Sequence, residues 1–316
     1  MHPEITRIQS MLDSQGYVAD RELATSVYLA IELRKPLLIE GGAGVGKTEV
    51  AKVMAKALDT DLIRLQCYEG LDATTSLYEW NYQRQLLHIR LQEHSDLPLE
   101  AREREIFSEP FLLKRPLLQA ITHHRAPVLL IDEVDRVDDE WEAFLLEVLS
   151  DWQITIPEIG TIRAKHVPYV VLTSNRTREL GDALRRRCLY LWIDYPVFEK
   201  ELTIVRRRVP GVDGQLADQI AAFMQFVRRA KLDKVPGIAE TLDWSAALMA
   251  LHRDHLDREA IEQTLGVLFK HRDDAELMRS QWLDHLLRGL EQIDREPRPW
   301  NQQTIERVAD NILPRR

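Results

Sequence analysis

The chain has 316 residues, 45% of them hydrophobic and 29% charged, and its 42 basic and 51 acidic residues leave a net charge of -9. That balance suits a globular protein of about two domains and argues against a nucleic-acid surface as the purpose of the whole chain, leaving room only for a local basic patch. No apolar run approaches the ~18 residues needed to span a membrane, and no biased segment suggests disorder. Met1-His2-Pro3-Glu4-Ile5 lacks the basic region and apolar core of a signal peptide, so a cytoplasmic location is expected. Cys67 and Cys188 sit in apolar strand-like runs without metal or CxxC spacing, which reads as buried thiols rather than a disulfide.

Ile5, Ile8 and Leu12 recur at helical spacing after Pro3, and Gly16 stops that helix. Asp20 can cap a second helix, which carries Leu23, Val27, Ala30 and Ile31 on one side and runs to about Arg34. Leu37-Leu38-Ile39 then reads as a buried strand, followed by Gly41-Gly42-Ala43-Gly44-Val45-Gly46-Lys47-Thr48 and a helix from Thr48 to Leu58. This stretch fits Gly-x-x-x-x-Gly-Lys-[Ser/Thr] at every fixed position, and its chemistry is that of a phosphate cradle. Glycines let successive backbone N–H groups turn toward one centre, and the helix beginning at Lys47 adds its positive N-terminal end. Lys47 can then reach the β- and γ-phosphates of a nucleotide while the Thr48 hydroxyl holds Mg²⁺.

Leu62 to Cys67 is the next strand-like run. Tyr68, Tyr78, Trp80 and Tyr82 follow on a polar segment that leads into helical residues Leu86 to Glu93. These aromatics either pack onto the neighbouring domain or form a surface that grips a partner; Trp80 is the anchor in the second case, and packing within its own subunit is the alternative for it. Leu97 to Ser108 reads as a charged loop with a short helix, and Pro116 to His123 as helical. Pro127 to Glu133 is an apolar strand ending in two carboxylates, Asp132 and Glu133, where α/β folds place ligands. Adjacent strand-end residues diverge, so one carboxylate can meet the metal beside Thr48 and the other an attacking water. Asp135 and Asp138 to Glu140 read as a solvated, capped helix start rather than as further ligands.

The helix 139–151 carries Trp141, Phe144, Leu145 and Val148 on its buried side, and residues 152–168 read as a hairpin around Pro157 and Gly160. Tyr169 to Thr173 is another strand, and Ser174-Asn175 puts a neutral amide at its end, suited to orient a water against a γ-phosphate. Three arginines, Arg185, Arg186 and Arg187, precede a strand over Leu189 to Ile193; a guanidinium supplied from a neighbouring subunit stabilises charge developing on a phosphate. For Arg185 or Arg186 a surface salt-bridge role is the alternative. Beyond Pro196 the apolar spacing is helical only, as in Leu216, Ile220, Phe223 and Val227. A parallel sheet covered on both faces over residues 1–196, followed by a helical domain over 197–316, is expected.

In this order, Gly41 to Thr48, Ile131-Asp132-Glu133, Thr173-Ser174-Asn175 and Arg186-Arg187-Cys188 resemble an AAA+ ATPase through nearly the whole chain. Leu38-Ile39-Glu40-Gly41, Cys67-Tyr68-Glu69-Gly70, Tyr78-Glu79-Trp80-Asn81-Tyr82 and Thr173 to Leu180 look like the MoxR branch, most of all its members that mature molybdenum and copper carbon monoxide dehydrogenase. The resemblance implies an α/β P-loop three-layer sandwich followed by an all-α lid, with ATP and Mg²⁺ as cofactors and a homo-oligomeric ring, usually a hexamer, holding ATP between subunits. It implies Gly41 to Thr48 with Glu49 as Walker A, Asp132 and Glu133 as Walker B, Asn175 as sensor 1 and Arg187 as arginine finger. Tyr17 and Val18 fall where such proteins contact adenine.

The lid helix Leu242 to Leu248 has Ala246 where related proteins often carry the sensor 2 arginine, so either lid coupling is weaker or another arginine substitutes. The implied function is ATP-driven activation of a client enzyme, often beside a von Willebrand A-domain partner. The alternatives are a motor or loader on nucleic acid, disfavoured by the acidic balance and the lack of an appended DNA-binding module, and a scaffold that binds ATP without turnover, disfavoured by Glu133 and Arg187.

Overall fold

The computed structural model describes residues 2–92 and 98–312. Its strands are β1 (Leu37–Gly41), β2 (Leu62–Gln66), β3 (Tyr78–Trp80), β4 (Leu112–Lys114), β5 (Val128–Asp132), β6 (Gln153–Ile156), β7 (Gly160–Arg163), β8 (Tyr169–Ser174) and β9 (Leu189–Ile193). Five of them make one sheet in the order β2-β5-β8-β1-β9, with β2 parallel to β5, β5 to β8, and β8 to β1. The three inner strands are buried almost throughout, which is why they read as continuous apolar runs: helices cover both faces, and no face is left to take polar alternation. The edge strands β2 and β9 alternate instead. This is the expected α/β architecture, with a helical C-terminal region after it.

The chain divides into two compact units. The first comprises Met1–Gln15, Ala19–Glu40 and Lys47–Trp192. Its core joins Leu38, Leu129, Ile131 and Leu172 from the sheet to Leu117, Leu118, Trp141 and Leu145 from flanking helices. Asp20 caps the helix Arg21–Leu33 by accepting from Leu23 N at 2.9 Å, and Asp138 caps Asp139–Asp151 by accepting from Trp141 N at 2.9 Å.

The second unit comprises Gly16–Val18, Gly41–Gly46 and Ile193–Arg316. Helices Phe198–Arg208, Gly214–Val227, Ile238–Ala250, Arg258–Leu268, Leu283–Asp294 and Gln302–Ile312 enclose Phe223, Phe226, Trp244, Leu286 and Val308. Within it Arg228 makes two 2.6 Å hydrogen bonds to the fully buried Glu201, whose carboxylate also accepts from Thr241 Oγ1 at 2.8 Å and Gln225 Nε2 at 2.6 Å. Both charges are satisfied, so the pair fixes the packing of these helices without leaving an uncompensated ion.

The aromatic segment departs most from the sequence reading. It contains an antiparallel pair, β3 with β4, that sets Tyr78 against Lys114 and Trp80 against Leu112. Trp80 is only 6% exposed, edge-on to Phe107 at 5.3 Å, and belongs to the core of the first unit; of its two readings the client anchor is corrected and packing within its own subunit stands. Strand alternation explains this: Tyr78 and Trp80 share one face of β3, and that face turns inward. The helix that follows is Tyr82–Leu91, four residues earlier than the spacing suggested, because Asn81 caps it by accepting from Arg84 N at 3.0 Å. Glu93 and Leu97, expected at the ends of the two neighbouring elements, lie outside the described residues; the helix Leu99–Ile106 stands where the short charged helix is expected.

Candidate nucleotide site

The carboxyl ends of β1, β5 and β8 are neighbours in the sheet, so residues far apart in sequence meet there. Helix Lys47–Ala57 begins at that edge. Lys47 is 7% exposed, and its ammonium donates to Asn175 Oδ1 at 2.7 Å. Burial pushes the Lys47 pKa down, against the pull of Asp135, Asp132 and Glu133. Thr48 Oγ1 donates to Asp132 Oδ1 at 2.9 Å. Asp132, at the end of β5, also accepts from the buried Thr173 hydroxyl, which in turn accepts from Glu133 N at 2.9 Å. Lys47, Thr48, Asp132 and Asn175 therefore form one cluster, while Glu133 diverges from it. Glu133 sits at φ 56°, in the left-handed region, and its carboxylate pairs with Arg136 at 2.7 Å. A glutamate in that region stores backbone strain of order 1 kcal/mol.

Two participants escaped the sequence reading. Asp135, expected at a solvated helix start, is 3% exposed and clamps the end of β8: it accepts from Asn175 N at 3.2 Å, Thr177 N at 2.8 Å and Thr177 Oγ1 at 2.7 Å. Burial pushes its carboxyl up, but the Thr177 side chain and the Thr177 and Asn175 N–H groups outweigh that and hold it below the usual aspartate range. Arg64, on β2, places Nε at 3.1 Å and a terminal nitrogen at 2.5 Å from Asp132 Oδ2. A basic residue between Ile63 and Leu65 in a strand beside β5 was the available signal for it. Negative charge gathered here, together with burial, pushes the Cys67 thiol up to about 12, with burial the larger cause; burial alone does the same to Cys188, and both cysteines are free.

The end of β1 carries another buried carboxylate. Glu40 accepts from Tyr190 Oη at 3.1 Å and faces Arg185 at 3.6 Å and Arg176 at 3.8 Å. Arg185 is thereby occupied within its own unit, as the salt-bridge alternative expected. Arg187, at the end of helix Asp182–Arg187, is exposed and touches Ser150 Oγ at 3.2 Å and the Ala183 carbonyl at 3.4 Å rather than the Asp132 cluster. Glu49 pairs with Lys52 at 3.3 Å on the first helical turns after the loop.

Gly41 to Gly46 belong to the second unit. A Cβ on Gly41 would stand 2.1 Å from the Ile193 carbonyl oxygen, and Gly44 and Gly46 adopt φ of +72° and +95°, so neither position accepts another residue without strain. Gly44 O accepts from Ala239 N at 3.1 Å, which brings the loop to the start of helix Ile238–Ala250. Ala43 is exposed and Val45 buried. Tyr17, with Val18 beside it, places its ring 4.0 Å from where a Cβ on Gly46 would lie. Ala246 is exposed on Ile238–Ala250 and offers no cation, and Arg228 is committed to Glu201.

The Thr48–Asp132 spacing tests the fit of a metal. Adjacent ligands of an octahedral Mg²⁺ at 2.0–2.1 Å lie about 2.9 Å apart, so a hydroxyl and a carboxylate oxygen at 2.9 Å match two such positions.

A family described as AAA domain (dynein-related subfamily) matches residues 36–188. The RuvB subunit of the Holliday junction branch migration complex from Thermotoga maritima is 22% identical over 268 residues, 80% of this chain and 67% of that protein. An uncharacterized protein of Staphylococcus haemolyticus is 23% identical over 224 residues, 69% of this chain and 78% of that one. Among solved structures, the Thermotoga maritima RuvB branch migration motor aligns over 90% of this chain and 82% of its own at 16% identity, with a TM-score of 0.44. Among the described residues no helix is long and apolar enough to cross a membrane. The matched segment runs from the residue before β1 to the residue before β9 and so contains the strand ends just described; residues 36–188 are thus similar to an AAA domain, and the chain is an ATP-hydrolysing enzyme.

Proposed function

We propose that this ATPase is a MoxR-type activator of a client enzyme, with metalloenzyme maturation as its purpose, working as a cytoplasmic homo-oligomeric ring, probed first as a hexamer, beside a von Willebrand A-domain protein. Residues 1–196 serve as the nucleotide-binding part and 197–316 as the lid. In this reading the Gly41–Gly46 backbone cradles the phosphates, Lys47 meets the β- and γ-phosphates, and Thr48 and Asp132 hold Mg²⁺. The ion, when bound, neutralises charge on the β- and γ-oxygens. Glu133 takes the proton of the attacking water, Asn175 orients that water, and Arg187 acts on the nucleotide of the neighbouring subunit; Tyr17 and Val18 line the adenine.

The observation that carries the client role is the helix Tyr82–Leu91. Its polar Gln85 is buried and donates to the Ile106 carbonyl at 2.7 Å, whereas Tyr82, Leu86, Leu87, Ile89 and Leu91 are 45% to 76% exposed. That is the inverse of a helix packed for its own sake, and nucleotide chemistry does not require it. The net charge of -9 adds to the case against a nucleic-acid substrate.

A second reading has one specific support: the RuvB relatives, named for Holliday junction branch migration, cover 80% of this chain. Turnover separates the two. Branched DNA that stimulates ATP hydrolysis several-fold would favour a nucleic-acid motor, whereas stimulation by the apo form of an enzyme encoded beside this chain, and none by DNA, supports the activator. The trans role of Arg187 has its own check. Arg187→Ala should bind ATP normally yet lose roughly 10³- to 10⁵-fold in turnover, and mixing it with Lys47→Ala should restore part of the activity through mixed interfaces. No restoration at any ratio, with assembly shown by mass, refutes action in trans.

A further inference from the structure

The opposite ends of β2 and β5 hold a second constellation. Asp61 stands just before β2, and His123 and His124 lie between helix Pro116–Ile121 and β5. One ligand atom from each of Asp61, His123 and His124 falls within 4.8 Å of the other two. The backbones that carry them are stapled together: Val128 N donates to Asp61 O at 2.9 Å, Thr60 Oγ1 to Ala126 O at 2.8 Å, and an Arg125 guanidinium nitrogen to Asp59 O at 2.6 Å. The side chains are therefore brought together by main-chain geometry rather than by chance surface proximity.

The His123 ring is oriented as a metal ligand is. Its Nδ1 lies 2.9 Å from the Arg125 carbonyl oxygen, nearer than Arg125 N at 3.4 Å, a placement that suits the Nδ1–H tautomer once a metal occupies Nε2. Nε2 is left to present its lone pair, the arrangement by which a backbone carbonyl fixes the tautomer of a ligating imidazole. Nε2 is 3.2 Å from Asp61 Oδ2, close to the roughly 3.3 Å between neighbouring ligands of a tetrahedral zinc ion. His124, tilted 34° against His123 with ring centroids 4.4 Å apart, is exposed and has to close by at most about 1.5 Å, which rotation of a surface side chain supplies. Arg125 also reaches Asp61 Oδ2, at 3.3 Å, and is the cation that a metal displaces from that oxygen while keeping its bond to Asp59 O.

We propose that Asp61, His123 and His124 form a binding site for a borderline first-row divalent cation, zinc or copper by donor type, that clasps the start of β2 to the segment entering β5. Two imidazoles and one carboxylate exclude Mg²⁺ as the preferred occupant, since that ion takes oxygen ligands. The site is separate from the Thr48–Asp132 pair.

The test titrates the full chain with Zn²⁺ alone, in excess Mg²⁺ to fill oxygen sites, and reads the bound zinc against a chromophoric chelator. One ion per chain at micromolar affinity is expected. His123→Gln and His124→Ala should each weaken it by at least about tenfold, and His166→Ala, an exposed histidine elsewhere, should not. Zinc should raise the Tm of the wild type and leave that of His123→Gln unmoved. Asp61 and His124 are exposed and His123 is half-buried, and unaltered basal ATPase activity of the variants verifies folding. Wild-type zinc affinity weaker than about 100 μM, or equal affinity in wild type and both site variants, overturns the proposal.

Discussion

The strand-end cluster around Asp132 and the segment from Tyr68 to Lys114 sit in the same unit and follow opposite rules. At the strand ends polar groups are buried and each one meets another: Lys47 with Asn175, Thr48 and Arg64 with Asp132, Asp135 with Thr177. In the second segment a large aromatic, Trp80, is buried with its indole N–H unpartnered among the described residues, while leucines face outward. Burial of charge is costly unless it is paired, so the first region is held in one geometry, as chemistry on a phosphate requires. Exposure of apolar surface carries a standing cost that only a partner removes. Side chains of the first region should thus govern turnover, and those of the second should govern stability where buried and client activation where exposed.

The largest effect tests the first half of that contrast. Glu133→Gln should lower ATP turnover by roughly 10²- to 10⁴-fold while ATP affinity stays within a factor of two to three, since on the proposed reading only the base is removed. Lys47→Ala should instead abolish measurable binding, and equal ATP affinity in the wild type and the Lys47 variant would break the assignment. Trp80→Ala tests the other half. It should cost about 3–5 kcal/mol of unfolding free energy, with ATP affinity retained at temperatures below its melt; an unchanged denaturation midpoint would contradict the packing described above.

Asp135→Asn sharpens the comparison, because this carboxylate positions Asn175 and also stabilises the fold. Losing charge-assisted hydrogen bonds to Thr177 and Asn175 should cost about 1.5–3 kcal/mol and reduce turnover without removing any group that meets the nucleotide. Its carboxyl is held below the usual aspartate range, so its contribution to stability is present above the unfolded value of about 3.9 and is lost as pH falls through the lower folded value. Wild type and variant should converge in stability in that acid window and differ above it.

Leu86→Ser is expected within about 0.5 kcal/mol of wild type and with normal basal turnover, because Leu86 is exposed; client activation should fall. A strongly lowered melt would place Leu86 in the fold rather than at a client. Smallest is Arg64→Met. Arg64 holds Oδ2 of the carboxylate whose Oδ1 stands beside Thr48, and its charge offsets part of what that carboxylate offers a metal, so the variant should require a few-fold less Mg²⁺ for half-maximal nucleotide affinity, read by nucleotide fluorescence rather than by activity.

The sequence itself determined the α/β class, the phosphate loop with its strand and helix, and the strand-end carboxylates, because each rests on short-range rules. Apolar runs mark β1, β5 and β8, glycines permit φ of +72° and +95° at Gly44 and Gly46, and the Asp20 and Asp138 caps lie three residues from the N–H groups they bind. What tertiary structure decided depends on parallel pairing between strands separated by tens of residues. Only the order β2-β5-β8 puts Arg64 beside Asp132 and Asp135 under Asn175, and brings Asp61 to the histidines before β5. The inward turn of β3 is likewise legible only once Leu112 is known to lie opposite Trp80, since a three-residue strand has too few positions to show which face is buried.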